Sequence, residues 1–178
     1  MKRFTLLFTI FIFTNCGTSK PQVVNSELDY FINAQNFSIV KPEKWRGFED
    51  HGYVSYTPLH KKNNPFENSV SVFQYRLKEK ITFKDLVENR INETTNSRDI
   101  VSQKSYSEQN RLGLVYIHEI ESLFQGEVYN KSFYMYFEHH GYYYNYNYSS
   151  REDLYQTYFT DAMSILNSIE FVEKKIDI

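Results

Sequence analysis

The sequence predicts an α+β fold, in which an antiparallel β-sheet has helices packed on its faces. Residues 100–149 form long candidate strands joined by short turns, and sequential strands connected in this way must be antiparallel neighbours. Residues 83–94 and 151–167 place apolar side chains at helical spacing. One of these helices interrupts the strands and the other follows them, which is typical of a layered α+β domain.

Strands are predicted where side chains alternate between apolar and polar or where apolar runs end at turn residues. They cover residues 37–40, 52–57, 70–75, 100–107, 114–124, 128–138, 142–148 and 169–172. A turn precedes Trp45, a polar loop covers residues 60–68, and a tight turn is predicted at residues 139–141.

The two predicted helices have identifiable starts. Thr82 and Asp85 form a capping box, in which a hydroxyl and a carboxylate satisfy free amide groups at the first turn. For the second helix, Ser149 or Ser150 is the predicted N-cap. Each helix has one apolar face, which predicts that it packs against the sheet.

The first sixteen residues have the three parts of a bacterial export signal. Residues 2–3 are basic, residues 4–13 form an apolar run, and Cys16 follows shortly after. The run has about half the length that a membrane-spanning helix needs. The segment ending at Cys16 resembles a lipobox, although Asn15 replaces the small residue usual before the cysteine. The alternatives are a plain secretory signal with an incidental cysteine, or an apolar N-terminal strand.

The sequence therefore predicts a lipoprotein signal peptide over residues 1–15, a tether over residues 16–33 and a single domain over residues 34–175. Acyl chains on Cys16, the only cysteine, would hold the protein to a membrane. The residues after Cys16 lack the aspartate that retains some lipoproteins in the inner membrane and the acidic run that sends others to the surface. We therefore expect an outer-membrane protein that faces the periplasm.

Composition and motifs argue against several functional classes. The formal net charge is −2 and no basic cluster is present, so the sequence does not predict nucleic-acid binding. The six glycines are scattered singly, so no glycine-rich phosphate loop is present. The Gly-x-Ser-x-Gly elbow of serine hydrolases is also missing. The sequence predicts neither an enzyme nor a cofactor.

Three stretches of the sequence form an ordered set of motifs. Residues 37–45 read Phe-Ser-Ile-x-x-Pro-x-x-Trp, residues 81–86 lead into the first helix, and an aromatic strand is followed by a closing helix over residues 142–171. In order and spacing these stretches resemble the PsbP-like superfamily, in which an antiparallel sheet is sandwiched by helices, so the resemblance implies a PsbP-like α/β/α sandwich. Its members share no catalytic constellation, and the resemblance therefore implies a non-enzymatic binding or assembly module.

Tyrosine is unusually frequent, and two groups of tyrosines stand on neighbouring predicted strands. The 16 tyrosines and 15 phenylalanines together account for 31 residues. The six candidate binding residues are Tyr134, Tyr136, Tyr142, Tyr144, Tyr146 and Tyr148. They either pack beneath a helix and across strands, with hydroxyls reaching water, or form an exposed aromatic surface for a protein or a glycan.

Histidines and paired glutamates give weaker signals. The adjacent His139 and His140 would project to opposite faces of an extended chain, and the other three histidines have no ligand spacing, so no metal site is predicted. Glu119 and Glu121 share a strand face, as paired glycosidase carboxylates would. A solvated strand face explains the two glutamates more simply.

The sequence thus predicts a lipid-anchored envelope protein that acts as a non-catalytic protein-binding or assembly factor. Its expected partners are the membrane, through the N-terminal lipid, and another envelope or secreted protein. The alternative is a lipoprotein that binds a small molecule or a glycan at a tyrosine-lined surface.

Overall fold

The computed structural model describes residues 28–29, 35–50, 52–59, 68–77, 81–124 and 128–172. Within these residues the chain forms two helices, α1 (Phe83–Asn96) and α2 (Glu152–Asn167), and ten strands. The strands are β1 (Leu28–Asp29), β2 (Phe37–Ser38), β3 (Trp45–Asp50), β4 (Tyr53–Pro58), β5 (Asn68–Leu77), β6 (Asp99–Asn110), β7 (Gly113–Phe124), β8 (Val128–His139), β9 (Tyr142–Arg151) and β10 (Glu170–Phe171).

The main sheet has the strand order β3-β4-β5-β9-β8-β7-β6, and each neighbouring pair is antiparallel. Strands β6 to β9 pair with one another in chain order, as the sequence predicts. The pairing of β5 with β9 joins the two halves, since these strands are far apart in the chain. Short strands β2 and β10 pair with each other outside the main sheet. This arrangement confirms the predicted antiparallel α+β fold.

Side chains of alternate residues enter two apolar clusters on opposite sides of the sheet. We call the side that carries α2 the α2 face and the side that carries α1 the α1 face. Ala162, Ile165 and Leu166 of α2 are buried against the larger cluster. Leu86 and Val87 of α1 are buried against the smaller one. Helices therefore cover both faces of one sheet, as in an α/β/α sandwich.

Helix α1 begins where the capping pattern predicts. The backbone N–H of Asp85 donates a 3.1 Å hydrogen bond to the Thr82 hydroxyl oxygen, and that hydroxyl donates to the Asp85 carboxylate at 2.6 Å. The cap satisfies one of the amide groups that a helix start leaves without an intrahelical partner. The helix ends at Ser97, whose backbone N–H donates to the carbonyl of Glu93.

The predicted N-cap of α2 is wrong. The residue at that position is Arg151, and no side chain caps the helix there. Ser149 and Ser150 instead belong to β9, where they pair with β5 on one side and β8 on the other. The Ser149 hydroxyl lies 2.9 Å from that of Ser132 on β8. Their hydrogen-bonding capacity is used in the sheet because β9 continues to the start of the helix.

Strand β3 is an addition to the predicted elements. The predicted turn before it is present, since the Trp45 N–H donates to the Pro42 carbonyl at 2.9 Å. The five residues after Trp45 are all exposed, so the strand has no apolar alternation to reveal it. A side chain at Gly47 would place its Cβ 1.9 Å from the Ser55 carbonyl oxygen. Because glycine has no side chain, β3 and β4 can lie close to each other at this position.

The turn between β8 and β9 has the backbone that a two-residue hairpin requires. His140 and Gly141 both have positive φ, 50° and 75°. This matches the type I′ geometry, whose twist fits that of the flanking strands. The predicted turn at residues 139–141 is thus confirmed, although His139 itself ends the strand.

The N-terminal part of the chain falls mostly outside the described residues. These include the predicted signal peptide, Cys16 and most of the tether. Strand β1 lies inside the predicted tether range, and there Leu28 pairs with Leu77 and Asp29 with Arg76. The sheet therefore extends into residues 16–33, while the division into signal, tether and domain stays a prediction.

Candidate functional site

The register of the sheet separates the six predicted tyrosines into two groups. Tyr134 lies opposite Asn147, and Tyr136 opposite Asn145, so these two rings lie on the α1 face. The even-numbered tyrosines of β9 lie on the α2 face. One continuous surface made of all six is therefore impossible.

Burial also rules out an open aromatic surface at these positions. Five of the six side chains are buried, and the half-buried Tyr142 packs against the α2-face core. The structure thus corrects the exposed-surface interpretation of Tyr134, Tyr136, Tyr144, Tyr146 and Tyr148. It agrees with the other interpretation, in which the rings pack beneath helices and across strands.

On the α2 face, the tyrosine hydroxyls hold α2 to the sheet. Tyr146 donates to the carbonyl of Ala162 at 2.6 Å, and Tyr148 donates to the carbonyl of Tyr155 at 2.7 Å. A buried hydroxyl that finds a partner avoids most of its desolvation cost. These tyrosines therefore have a structural role in fixing the position of the helix.

On the α1 face, Tyr134, Tyr136 and Tyr143 form a row of parallel rings. The ring centroids are 6.2 Å apart for the first pair and 6.1 Å for the second. Burial raises the pKa of the Tyr136 and Tyr143 hydroxyls well above the usual value for tyrosine. Aromatic pairs at such spacings add to the stability gained from burial.

A different set of rings, which we call the aromatic row, is more exposed. It consists of Phe48, Tyr53, Phe73 and Tyr75 on the α1 face of β3, β4 and β5. Successive ring centroids are 5.4, 4.5 and 6.1 Å apart. Phe48 is 56% exposed, and the other three rings are half-buried. Exposed aromatic rings at neighbouring positions are typical of surfaces that bind partners.

Sequence reasoning missed the aromatic row for two reasons. Phe48 lies on β3, which has no alternation to predict it. Tyr53 and Phe73 lie on predicted strands, but only the pairing of β4 with β5 brings them opposite each other. One signal in the sequence could have found these rings. Tyr53 and Phe73 alternate with buried valines such as Val54 and Val72, which places the two rings together on the other face of the sheet.

A polar groove of about 290 Å³ lies on the α2 face, between the start of α2 and strands β6 to β8. Glu119 and Glu121 line it, as expected for residues that share a strand face. Lys131 lies 3.0 Å from Glu121 and 3.3 Å from Glu152 at the first position of α2. The Tyr106 hydroxyl donates to Glu119 at 3.0 Å.

The electrostatics of this groove disfavour Glu121 as a general acid. Hydrogen bonds from Lys131 and Ser102 hold the pKa of Glu121 below its usual value. A general acid needs the opposite, a raised pKa that keeps the carboxyl protonated near neutral pH. The groove instead offers charges of both signs and hydroxyls, which suit hydrogen bonding to a polar ligand.

His118 lies apart from the other described histidines, but the hairpin turn brings the His139 and His140 rings to a centroid separation of 4.2 Å, so the prediction that they project to opposite faces is wrong. His118 is buried, its Nδ1 lies 2.7 Å from the Ser105 hydroxyl, and burial lowers its pKa. His139 stacks on Phe171 with ring centroids 3.6 Å apart, next to His140 at the hairpin turn. His51 and His60 lie outside the described residues. In the part of the chain that is described, no group of three His, Cys, Asp or Glu side chains could hold a metal ion.

Neither of the two described helices combines the length and the apolar content needed to cross a membrane. The candidate lipid attachment residue, Cys16, lies outside the described residues, so its role stays a prediction.

Comparison with known proteins identifies the fold. No protein-family model and no curated protein sequence matches the chain. Among solved structures, LpqN, involved in cell envelope biogenesis of Mycobacterium tuberculosis, matches with a TM-score of 0.59 and 10% identity over 76% of this chain and 83% of that one. Cyanobacterial PsbP (CyanoP) from Synechocystis sp. PCC 6803 matches with a TM-score of 0.52 and 16% identity over 84% and 95%. The antiparallel sheet with its two helices, together with these matches, shows that the chain has the PsbP-like fold.

Proposed function

We propose that this chain is a lipid-anchored protein of the cell envelope that binds another envelope or secreted protein and catalyses no reaction. The observation that carries the proposal is the aromatic row on the α1 face. The envelope setting agrees with that of LpqN, which has the same fold and is involved in cell envelope biogenesis.

The aromatic row has the chemistry of a protein-binding surface. Its outermost ring, Phe48, is more than half exposed, and its inner rings are held in place by contacts with each other. Rigid aromatic side chains supply a large contact area at a small cost in conformational entropy. Helix α1 is packed against residues of β7, β8 and β9, and the same cluster takes in Tyr75 of β5, so among the described elements α1 leaves the β3 and β4 part of this face open.

The anchor in the proposal is Cys16, which follows the predicted export signal. A lipid on this residue would place the domain within a tether length of the membrane, where its partner would also be found. No reaction is assigned because the lowered pKa of Glu121 does not suit a general acid, and no three His, Cys, Asp or Glu side chains among the described residues are grouped to hold a metal ion.

Site-specific crosslinking tests the protein-binding surface. A photoreactive amino acid at Arg46, which is exposed on the same side of β3 as Phe48, should crosslink to a discrete envelope protein. Phe48→Ala should remove this crosslink, because it deletes the exposed ring. Leu114→Ala is the matched control, since Leu114 is 49% exposed on β7, far from the aromatic row. A crosslinking pattern that Phe48→Ala leaves unchanged would contradict the proposed surface.

Fatty-acid labelling tests the anchor separately. The wild type should incorporate labelled fatty acid and fractionate with membranes, and Cys16→Ala should lose both properties. If both proteins stay unlabelled and remain in the soluble fraction, the lipid anchor is wrong, whatever the crosslinking shows.

A second candidate function is binding of a small polar ligand or glycan fragment in the groove. The observation that favours it is the volume of about 290 Å³, lined by Lys104, Lys131, Glu119 and Glu121. Calorimetric titration with envelope glycan fragments should then show binding that Lys131→Ala weakens. Fluorescence of the only tryptophan is a poor reporter here, because Trp45 is buried elsewhere on the α2 face. Titrations without heat would exclude this candidate for the fragments used.

A further inference from the structure

Strand β6 is the last strand of the main sheet and has a long outer edge. It spans twelve residues and pairs with β7 alone among the described elements. Nine of its side chains are exposed, and only Ile100, Tyr106 and Asn110 are half-buried. Helix α2 packs over β5, β8 and β9 and leaves this edge open. Such an edge presents backbone N–H and C=O groups that can pair with another strand.

The regular part of this edge has a defined centre. A register irregularity lies between Ile100 and Ser102, where Val101 is an extra residue opposite β7. Such a bulge interrupts regular pairing. The remaining regular stretch runs from Ser102 to Asn110, and its midpoint is Tyr106.

Symmetry limits how two copies of this edge can pair. A two-fold axis perpendicular to the sheet makes the two strands antiparallel and keeps each side chain on its own face. With the axis at Tyr106, each residue of Ser102–Asn110 lies opposite a residue of the same stretch in the second copy. This register uses the whole regular edge, which any shifted register shortens.

Charge favours the same register. Lys104 and Glu108 are the only charged residues in Ser102–Asn110, and both are exposed. They lie symmetrically about Tyr106, so Lys104 of each copy would lie opposite Glu108 of the other. An axis at Lys104 or at Glu108 would instead bring like charges together, which destabilises cross-strand pairing.

We propose that two copies of this chain pair through their β6 strands, antiparallel and in register about Tyr106, to form one continuous sheet. The two Lys104–Glu108 pairs would lie on the α2 face, and both copies of α2 would lie on that same side. The aromatic row is at the opposite end of the sheet, so this interface and the proposed partner surface can be occupied together.

Charge reversal tests the proposal, because a second reversal should restore the dimer that the first one weakens. Light scattering on the full chain in the Cys16→Ala background should show a concentration-dependent dimer. Lys104→Glu or Glu108→Lys alone should weaken dimerisation by about tenfold, because each places two like-charge pairs in the interface. The double variant should restore it to within about threefold of the starting protein. Lys84→Glu, on the exposed side of α1, is the control with the same change in net charge as Lys104→Glu.

Cysteine crosslinking tests the register. In the same background, Gln103→Cys protein mixed with Gln109→Cys protein should form a covalent dimer with a short thiol-reactive linker, because these positions lie opposite each other. Neither variant alone should form a covalent dimer. In that case the two cysteines, one in each copy, would be six residues apart along the strands, which is about 20 Å.

A protein that stays monomeric at its highest soluble concentration would overturn the proposal. The proposal would also be overturned if the single and double charge variants dimerised equally well. Covalent dimers formed by each cysteine variant alone would overturn it too. Crosslinking of Gln103→Cys to another envelope protein without any self-dimer would also overturn it and would assign the edge to a different chain.

Discussion

The indole Nε1–H of Trp45 donates a 3.1 Å hydrogen bond to the Asp161 carboxylate, 116 residues further along the chain. The bond connects the start of edge strand β3 with the middle of helix α2. The Trp45 ring is 1% exposed and meets the Tyr158 ring edge-on, with centroids 6.0 Å apart. One side chain thus fixes the N-terminal edge of the sheet to the C-terminal helix.

Replacing the acceptor should therefore cost stability. Asp161→Ala leaves the buried indole N–H without its partner, and we expect the free energy of unfolding to fall by about 1–2 kcal/mol. Urea denaturation followed by fluorescence of the single tryptophan measures it. Asp153→Ala, which removes only an exposed ion pair with Arg151 in the first turn of the same helix, is the control and should cost less. Equal losses in both variants would contradict a specific role for the Trp45 bond.

The buried hydroxyl of Tyr146 gives a second prediction. Tyr146→Phe removes its 2.6 Å hydrogen bond to the Ala162 carbonyl and should lower the free energy of unfolding by about 1 kcal/mol. Tyr142→Phe, on the same strand and face but half-buried, should change it by less than about 0.5 kcal/mol. Chemical denaturation of both variants compares them. The reverse order of the two effects would show that the hydroxyl does not hold α2 in place.

The N-cap of α1 can be tested without disturbing the core. Thr82 is exposed, so Thr82→Ala should cost about 1 kcal/mol through the lost cap. Thr82→Ser keeps the hydroxyl and should retain most of this stability. Thermal or urea unfolding followed by circular dichroism measures both. If serine is no better than alanine, the hydroxyl does not act as a cap.

Gly47 should tolerate no side chain. Gly47→Ala would place a methyl group 1.9 Å from the Ser55 carbonyl oxygen, which forces β3 away from β4 and should cost about 2–3 kcal/mol or more. Gly113→Ala is the comparison, because no atom lies within 4 Å of where its Cβ would stand, and only the positive φ of Gly113, 98°, opposes the change. Gly113→Ala should lower the free energy of unfolding by only about 1 kcal/mol. Denaturant midpoints of the two variants decide between steric and conformational causes.

Stability should fall at alkaline pH. Burial, aided by hydrogen bonding to Glu119, raises the pKa of Tyr106 to about 12, and burial raises the pKa of Tyr148 to about 12. The folded protein therefore holds protons that the unfolded chain releases near the usual tyrosine pKa of about 10. Stability from these groups is fully present below about pH 10 and is lost as pH rises towards about 12.

Urea unfolding at about pH 8, 10 and 11 tests this dependence, with tyrosinate absorbance as a second readout. Unfolding should become easier as pH rises, and tyrosinate should form together with loss of structure. Tyr106→Phe should flatten the profile slightly, because it removes one of the groups concerned. A free energy of unfolding that stays constant through this range would contradict the raised pKa values.

The sequence by itself determined both helices, most of the strands and the faces of their side chains. Alternation along residues 128–148 predicted which side chains share a face, and the two core clusters divide the side chains of β8 and β9 in this way. The capping pattern at Thr82 located the start of α1, because a cap depends on residues close together in the chain. Local steric and hydrogen-bonding preferences were sufficient for these predictions. The resemblance to the PsbP-like superfamily supplied the order of the layers.

Only the tertiary structure decided which faces are covered. The pairing of β5 with β9 sets which rings become neighbours, and the positions of the helices bury the β9 tyrosines while Phe48 remains exposed. Strand β3 forms because Trp45 packs against α2 and because Gly47, without a side chain, lets β4 lie close to β3. Neither contact produces an alternating pattern in the sequence. Long-range pairing and packing depend on contacts between distant residues. A single sequence therefore predicts that tyrosines share a face, but it does not predict whether that face is covered.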